Sequence, residues 1–360
     1  MTYWAGREIS FEFSELTGAL GDSVTVLPIV VGLGALTEAS LAHMLLAFGA
    51  FQILWGMAYG FPISVEPMKA LAGLAIAGTL GYGELVAAGL LAGVVLLVGA
   101  RLGLLSALAE HVPESVVRGV QLAVALVLAR TGLSLSAGDP AVALAAAAAG
   151  VALAVLASRG VAALAVLVGG GLVAAPAPSV ASAPALTPSL FPVGGPTLTA
   201  GVIGATGAQL AMTVGNAAVA TSLLCSDLYD ADVSPDRLAD SMGITCLVAV
   251  PLGGVPMCHG SGGVAGKHAF GARTAGANVI LGGLYVGAAA VAGTVAGFPM
   301  AVLGALLGFV ALELGDAARE TNAPWLTVAV GVVGLAWNVG AAFLLGTAVV
   351  LAVRRVAPGR

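Results

Sequence analysis

Apolar runs long enough to cross a bilayer recur along the chain from Leu16 to Val353, broken at short intervals by Gly, Pro and charged residues. Cutting at those breaks predicts helical spans near 16–36, 40–60, 63–80, 84–105, 114–131, 140–158 and 160–176. An uncharged connection rich in Pro and Ser follows over 176–199. Seven further spans are predicted near 201–224, 238–254, 257–272, 276–296, 299–315, 322–338 and 340–353.

The two sets of seven share more than number. Glu15-Leu16 followed by Gly21-Asp22 matches Gln209-Leu210 followed by Gly215-Asn216, and Gly60-Phe61-Pro62 matches Gly254-Val255-Pro256. One offset of 194 relates all of them (209 against 15, 215 against 21, 256 against 62), which predicts an internal duplication. The expected division is a first seven-helix repeat over 1–176, an external connection over 177–199 and a second repeat over 200–360. Because seven is odd, the halves are expected to lie inverted in the bilayer.

Composition leaves little besides a membrane protein. The chain is 59% hydrophobic and 9% charged, with mean hydropathy +1.05, whereas a soluble domain is about 25% charged. A net charge of -5 with Lys and Arg scattered singly excludes the basic surface that nucleic acid demands. Cys225, Cys246 and Cys258 show no CxxC spacing, so they predict packing residues and neither a disulfide framework nor a metal site. Arg7 is followed by Glu8, Glu12 and Glu15, so no cleaved signal is expected; residues 7–15 are either a short amphipathic surface helix or a polar lead-in. With the N-terminus cytoplasmic, Arg101, Arg118, Arg159, Arg237, Lys267, Arg273, Arg319, Arg354, Arg355 and Arg360 fall inside or at inner ends, and Arg130 falls outside. The positive-inside rule then predicts a multi-pass protein of the cell membrane with both termini cytoplasmic.

Two segments interrupt the helical pattern. In Gly60-Phe61-Pro62-Ile63-Ser64-Val65-Glu66-Pro67-Met68-Lys69, two prolines predict extended chain up to Val65, with Pro67 suited to the first turn of a short helix. In Gly253-Gly254-Val255-Pro256-Met257-Cys258-His259-Gly260-Ser261-Gly262-Gly263, glycine density predicts the same: irregular backbone, then a half-helix toward Phe270. Such backbone survives at membrane depth only where protein buries it or it lines a wet cavity, and the two segments hold equivalent places in the two halves. They are expected to meet near the midplane, each half-helix aiming its N-terminal N–H groups into the space between them, where an anion would be favoured. The alternative is a pair of proline kinks or re-entrant packing features.

The strings Pro62-Ile63-Ser64-Val65-Glu66-Pro67-Met68-Lys69 and Pro256-Met257-Cys258-His259-Gly260-Ser261-Gly262-Gly263, with Phe270-Gly271-Ala272-Arg273 after the second, resemble the molybdate transporter family related to the sulfate permeases. The similarity covers nearly the whole chain. It implies the fold shared with sulfate permeases and uracil permease: all-α, seven plus seven inverted transmembrane helices, half-helices at spans 3 and 10, core and gate domains, often as homodimers. It also implies a secondary active transporter importing a small tetrahedral oxyanion, molybdate foremost, by alternating access and without a cofactor. A sulfate or nucleobase permease of the same fold and a passive anion channel stay open as alternatives.

On this reading the cargo meets Ser64, Val65, Glu66 and Lys69 of the first motif, Cys258, His259, Gly260, Ser261 and Gly262 of the second, and Gln209 and Asn216 of span 8. Glu66 departs from the resemblance, since the family usually has a neutral glutamine there. An acid beside an oxyanion is adverse unless protonated or paired, so Glu66 is either a proton-coupling group or the partner of Lys69 one helical turn on. Asp22, an ionisable group inside the first span, is a candidate coupling site for a proton or sodium, or else a cap or partner of Lys69. His259 either donates to the oxyanion or bonds to nearby backbone. Asp227, Asp230, Asp232, Asp236 and Asp240 lack the glycine and closing glutamate of a calcium loop and predict a solvated loop instead. A hydrolase built on Ser261 and His259 is disfavoured, because residues two apart at a helix start point in different directions and no orienting carboxylate is near in sequence.

Overall fold

The computed structural model describes residues 2–4, 7–109, 113–156, 159–174 and 189–356. The first repeat comprises α1 (Phe13–Leu36), α2 (Leu41–Tyr59), α3 (Lys69–Ile76), α4 (Tyr82–Arg101), the short α5 (Leu104–Ala109), α6 (Glu114–Ser136), α7 (Pro140–Leu156) and α8 (Arg159–Ala174). The second comprises α9 (Ala200–Met212), continued by a π-helical segment (Thr213–Ala220) and α10 (Thr221–Tyr229), then α11 (Pro235–Ala249), α12 (Ser261–Ala269), α13 (Gly276–Ala290), α14 (Met300–Ala317), α15 (Pro324–Ala336) and α16 (Val339–Val356). Among the described residues, α2, α4, α6, α14 and the continuous 200–229 rod are each long and apolar enough to cross a membrane. In α1 a 46° bend lies between Ser23 and Val26, where the ring of Pro28 crowds the carbonyl of the fourth residue before it.

Helix pairing displays the inverted repeat directly. α2 packs on α13 and α4 on α11, α1 on α12 and α3 on α9, α1 on α8 and α9 on α16, and α7 on α14 as α15 does on α6. Each is the image of its neighbour when the halves are exchanged. The first three spans and α4 join α9–α13 as the core; α6–α8 join α14–α16 as the gate. Two of the core contacts depend on glycine: a Cβ on Gly49 of α2 would lie 2.7 Å from the Gly282 carbonyl of α13, and one on Gly243 of α11 would lie 2.9 Å from the Gly93 carbonyl of α4.

Spans 3 and 10 are broken, as their prolines and glycines predict, but the extended chain runs on past Val65, so Pro67 lies in the extended segment and not in the first turn of α3. Extended residues Glu66–Pro67 (β3) and Met257–Cys258 (β4) form an antiparallel ladder, Glu66 opposite Cys258 and Pro67 opposite Met257. The Met68 N–H adds a bond to the Pro256 carbonyl at 2.9 Å. The half-helices α3 and α12 leave this ladder in opposite directions, so backbone that would otherwise lack partners at membrane depth is satisfied across the repeat axis.

Three further expectations are corrected. Residues 7–15 are not a surface helix: Thr2–Trp4 (β1) and Arg7–Ile9 (β2) pair antiparallel, β-forming Thr2, Tyr3, Trp4 and Ile9 satisfying each other's backbone, and α1 starts only at Phe13. A gapless 194-residue offset does not hold. α9 begins 187 residues after α1 (Ala200 against Phe13), α12 192 after α3 (Ser261 against Lys69) and α13 194 after α4 (Gly276 against Tyr82). The difference lies in the 200–229 rod, which is longer than α1: counted from the helix starts Asp22 falls level with Gln209, and counted from their ends with Gly215. Third, Lys267 is no inner-face anchor but is wholly buried. Most of the 176–199 connection, with Ser182, and Arg360 lie outside the described residues. Its end, 189–199, rests on one face of the bundle through Phe191 N–H to the Pro251 carbonyl (2.7 Å), Thr197 N–H to the Gly83 carbonyl (2.8 Å) and the Thr199 hydroxyl to Glu84 (2.6 Å).

Candidate functional site

The site is built where the bent α1, the middle of α2, the two half-helices and the start of α13 converge. Asp22, next to the bend, presents Oδ1 to the Ser64 hydroxyl (2.8 Å) and Oδ2 to the Gln52 side-chain amide (3.1 Å), and forms an ion pair with Lys267 Nζ at 3.2 Å. Lys267 reaches this point from the second turn of α12 and donates to Gln52 Oε1 (2.9 Å), the Ile63 carbonyl (2.6 Å) and Asn278 Oδ1 (3.1 Å). Asn278 in turn donates to the Gln52 and Ile63 carbonyls (2.9 and 2.8 Å). The glycines that bring α2 and α13 together are what place Gln52 and Asn278 within reach.

A second pair sits beside the first. Glu66 Oε2 meets Lys69 Nζ at 2.9 Å, while Oε1 accepts the Ser64 hydroxyl (3.1 Å) and the Gly263 N–H of α12 (3.1 Å). Asp22, Glu66 and Lys267 are buried, and the Lys69 side chain retains 15% exposure toward α14, where Glu313 Oε1 lies 4.0 Å away. Two acids and two lysines leave the cluster neutral when all are ionised. The Lys69 alternative of pairing with Glu66 is the one the geometry displays, whereas Asp22 takes Lys267.

The other candidates separate into supports and open donors. Gln209 caps α3: its Oε1 accepts the Ala70 and Leu71 N–H groups (2.9 and 3.4 Å), and its Nε2 donates to Thr213 (3.0 Å). The Val65 carbonyl accepts from Gln52 (3.2 Å). Cys258 lies in the ladder, buried. His259 is clamped between the Ser64 carbonyl at Nδ1 and the Ser241 hydroxyl at Nε2, 2.7 Å each, so the neutral ring carries its proton on Nδ1 and ties the two motifs together. A Cβ on Gly260 would meet Glu66 Oε1 at 1.8 Å. Ser261 donates its hydroxyl to Asn216 Oδ1 in the π segment. The Ser261 and Gly262 N–H groups open α12, with no protein acceptor among the described residues, and Gly262 is exposed with nothing near its Cβ direction. Open donors therefore gather at α12, while the α3 end is capped from within.

Gln52, Lys267 and Asn278 were not legible as site residues, although each is a polar group inside an apolar run, the signal that marks function in a membrane.

Lys69→Met leaves Glu66 buried without its cation and is expected to cost about 3–5 kcal/mol of stability. Adding Glu66→Gln, which keeps an acceptor for Gly263 and Ser64, is expected to recover most of it. Thermal unfolding of the purified single and double variants decides; a single variant as stable as the parent would remove the pair from the fold's support.

Two inverted repeats, half-helices abutting at their centre and a buried charge network define a multi-pass membrane protein of an inverted-repeat transporter fold. The chain superposes on the transmembrane domain of the cyanobacterial bicarbonate transporter BicA with TM-score 0.68 at 16% identity, over 93% of this chain and 99% of that one. It does so equally on the murine Solute Carrier 26 family member A9 anion transporter in the inward-facing state, TM-score 0.68 at 13% identity, over 96% and 69%. At such identities the likeness is one of fold. Sequence gives the family: the profile described as "Molybdate transporter of MFS superfamily" matches residues 14–128 and 200–314, once in each repeat, and the chain belongs to that family. Molybdate transporter 1 of Arabidopsis thaliana is 34% identical over 86% of this chain and 81% of its own length, and Molybdate transporter 2 of the same plant 29% over 86% and 79%. Molybdate transporter 1 of Chlamydomonas reinhardtii is 28% identical over 95% and 91%.

Proposed function

We propose that the protein is a secondary active importer of a small tetrahedral oxyanion, molybdate foremost, held at the α12 N-terminus beside Lys69 and moved by alternating access of core against gate. The observation that carries this reading is the opening of α12, where the Ser261 and Gly262 N–H groups lie beside two buried ion pairs in a chain 34% identical to a molybdate transporter. Oriented N–H groups at a helix start favour anions. The repeats are taken to divide at 1–176, 177–199 and 200–360. Ser261 and His259, which a hydrolase would pair, are bonded to Asn216 and to Ser64 with Ser241, which favours a carrier over an enzyme.

Coupling follows from charge. The neutral cluster gains one positive charge for each proton added to Asp22 or Glu66, and a dianion leaving water needs that compensation. Uptake is therefore driven by protons, with sodium the lesser alternative. In proteoliposomes an inside-alkaline gradient is expected to drive molybdate accumulation and a protonophore to stop it. Accumulation unchanged with proton and sodium gradients both collapsed would refute the coupling. Both termini are assigned to the cytoplasm, since Arg101, Arg118, Arg237, Arg273 and Arg319 share the face opposite 189–199. Cysteine at Leu190, 72% exposed, should react with an impermeant reagent in intact cells, and cysteine at Asp232 should not; the reverse pattern overturns the orientation.

A further inference from the structure

Between the first two turns of α6 and the π segment lies a cavity of about 280 Å³ bordered by Glu114, Arg118 and Gln121 on the gate side and Asn216 and Leu223 on the core side. Among the described residues that line it, Arg118 is the one basic side chain. Gln121 is 2% exposed, and its Oε1 accepts from the Arg118 guanidinium at 3.3 Å. A guanidinium and side-chain amides bordering one cavity are a donor set that suits an oxyanion. Asn216 links this cavity to the α12 opening, because its Oδ1 holds the Ser261 hydroxyl. The π-helical turn sets Asn216 there, and such turns recur at functional positions.

Besides Gln121, Arg118 is held by two carboxylates that can be displaced. Its guanidinium lies 3.3 Å from Glu320 and 3.6 Å from Glu114, whose side chains are 75% and 53% exposed, and exposed pairs of this kind hold weakly. We infer that the cavity is a second station for the cargo: a tetrahedral oxyanion released from α12 is taken up by Arg118, Gln121 and Asn216 on the face where α6 begins, before it leaves the protein. Because Arg118 belongs to the gate and Asn216 to the core, the station exists only in the core position that brings them together, and it serves one face of the membrane. The inference rests on the oxyanion reading of the protein.

The test is the KM for labelled molybdate presented separately to each face of oriented proteoliposomes. Arg118→Gln is expected to raise the KM at the face where α6 begins about tenfold and to leave the opposite face within about twofold; Arg118→Lys, which keeps the charge, is expected to recover most of the loss. Glu320→Gln removes a competitor of the anion from an exposed position, so it should lower the KM at that same face. An unchanged KM for Arg118→Gln at both faces, an equal rise at both, or a Glu320→Gln variant that mimics Arg118→Gln overturns the station and leaves a structural latch. Should Arg118→Gln not assemble, an unchanged KM in Glu320→Gln overturns it alone. Parent vesicles that take up no oxyanion refute the cargo reading itself, and the station falls with it; parent uptake with an indifferent Arg118→Gln refutes the station only.

Discussion

Lys267→Met is expected to abolish transport and to leave little folded protein. The substitution strands the Asp22 carboxylate in a wholly buried position and removes the donor shared by Gln52, Asn278 and the Ile63 carbonyl. Breaking one side of a buried ion pair costs about 3–5 kcal/mol, against total stabilities of about 5–15 kcal/mol. Adding Asp22→Asn removes the uncompensated charge while leaving an acceptor for the Ser64 hydroxyl, so the double variant should regain much of the stability. On the proposed coupling it should not regain full proton-driven uptake, because one of the two candidate carboxylates is gone. Melting temperature in detergent reads the first effect and proteoliposome uptake the second. A Lys267→Met protein that melts and transports like the parent would show that the pair supports neither fold nor function.

Gly263→Ala is expected to cut uptake about a hundredfold, the scale on which displacement of a site by an ångström acts, although only a methyl group is added. Its Cβ would lie 2.2 Å from Ser64 Oγ, 2.3 Å from Asp22 Oδ1 and 2.5 Å from Glu66 Oε1, the three atoms through which the ion pairs communicate. Each is the end of a side chain, yet each is fixed by its own hydrogen bonds in a buried cluster, and none moves without breaking one of them. Gly283→Ala, on an exposed face of α13, is the control: nothing lies within 4 Å of its Cβ direction. Uptake by the Gly283 variant should stay within about twofold of the parent. Equal uptake by both variants would mean that the packing at α12 does not govern the site.

Much of the fold was legible because lipid leaves few options. Long apolar runs must be helices, and prolines at 62, 67 and 256 with glycines at 253, 254, 260, 262 and 263 must interrupt them. Hence spans 3 and 10 break within the segments that the sequence marks. The register of the duplication was not legible, because the extra length of the 200–229 rod shifts the alignment without leaving a mark in composition. Lys267 looked like an inner-face anchor since it stands near the end of its span, and only the fold of α12 against α1 turns it inward onto Asp22. Gln52 and Asn278 stand in unremarkable apolar helices 226 positions apart, and their meeting depends on Gly49 and Gly282 letting two backbones touch. His259 was legible as either a ligand or a backbone partner, a choice that Ser64 and Ser241, one of them in a different repeat, decide together.

Equilibrium binding of radiolabelled molybdate to the purified protein, with tungstate, sulfate and uracil as challengers, tests the oxyanion site most directly. The expected result is saturable binding displaced by the tetrahedral dianions and not by uracil, and weakened at least about tenfold, or about 1.4 kcal/mol, by Gly263→Ala. Binding displaced by uracil alone, or molybdate bound no better by the parent than by Gly263→Ala, would contradict it.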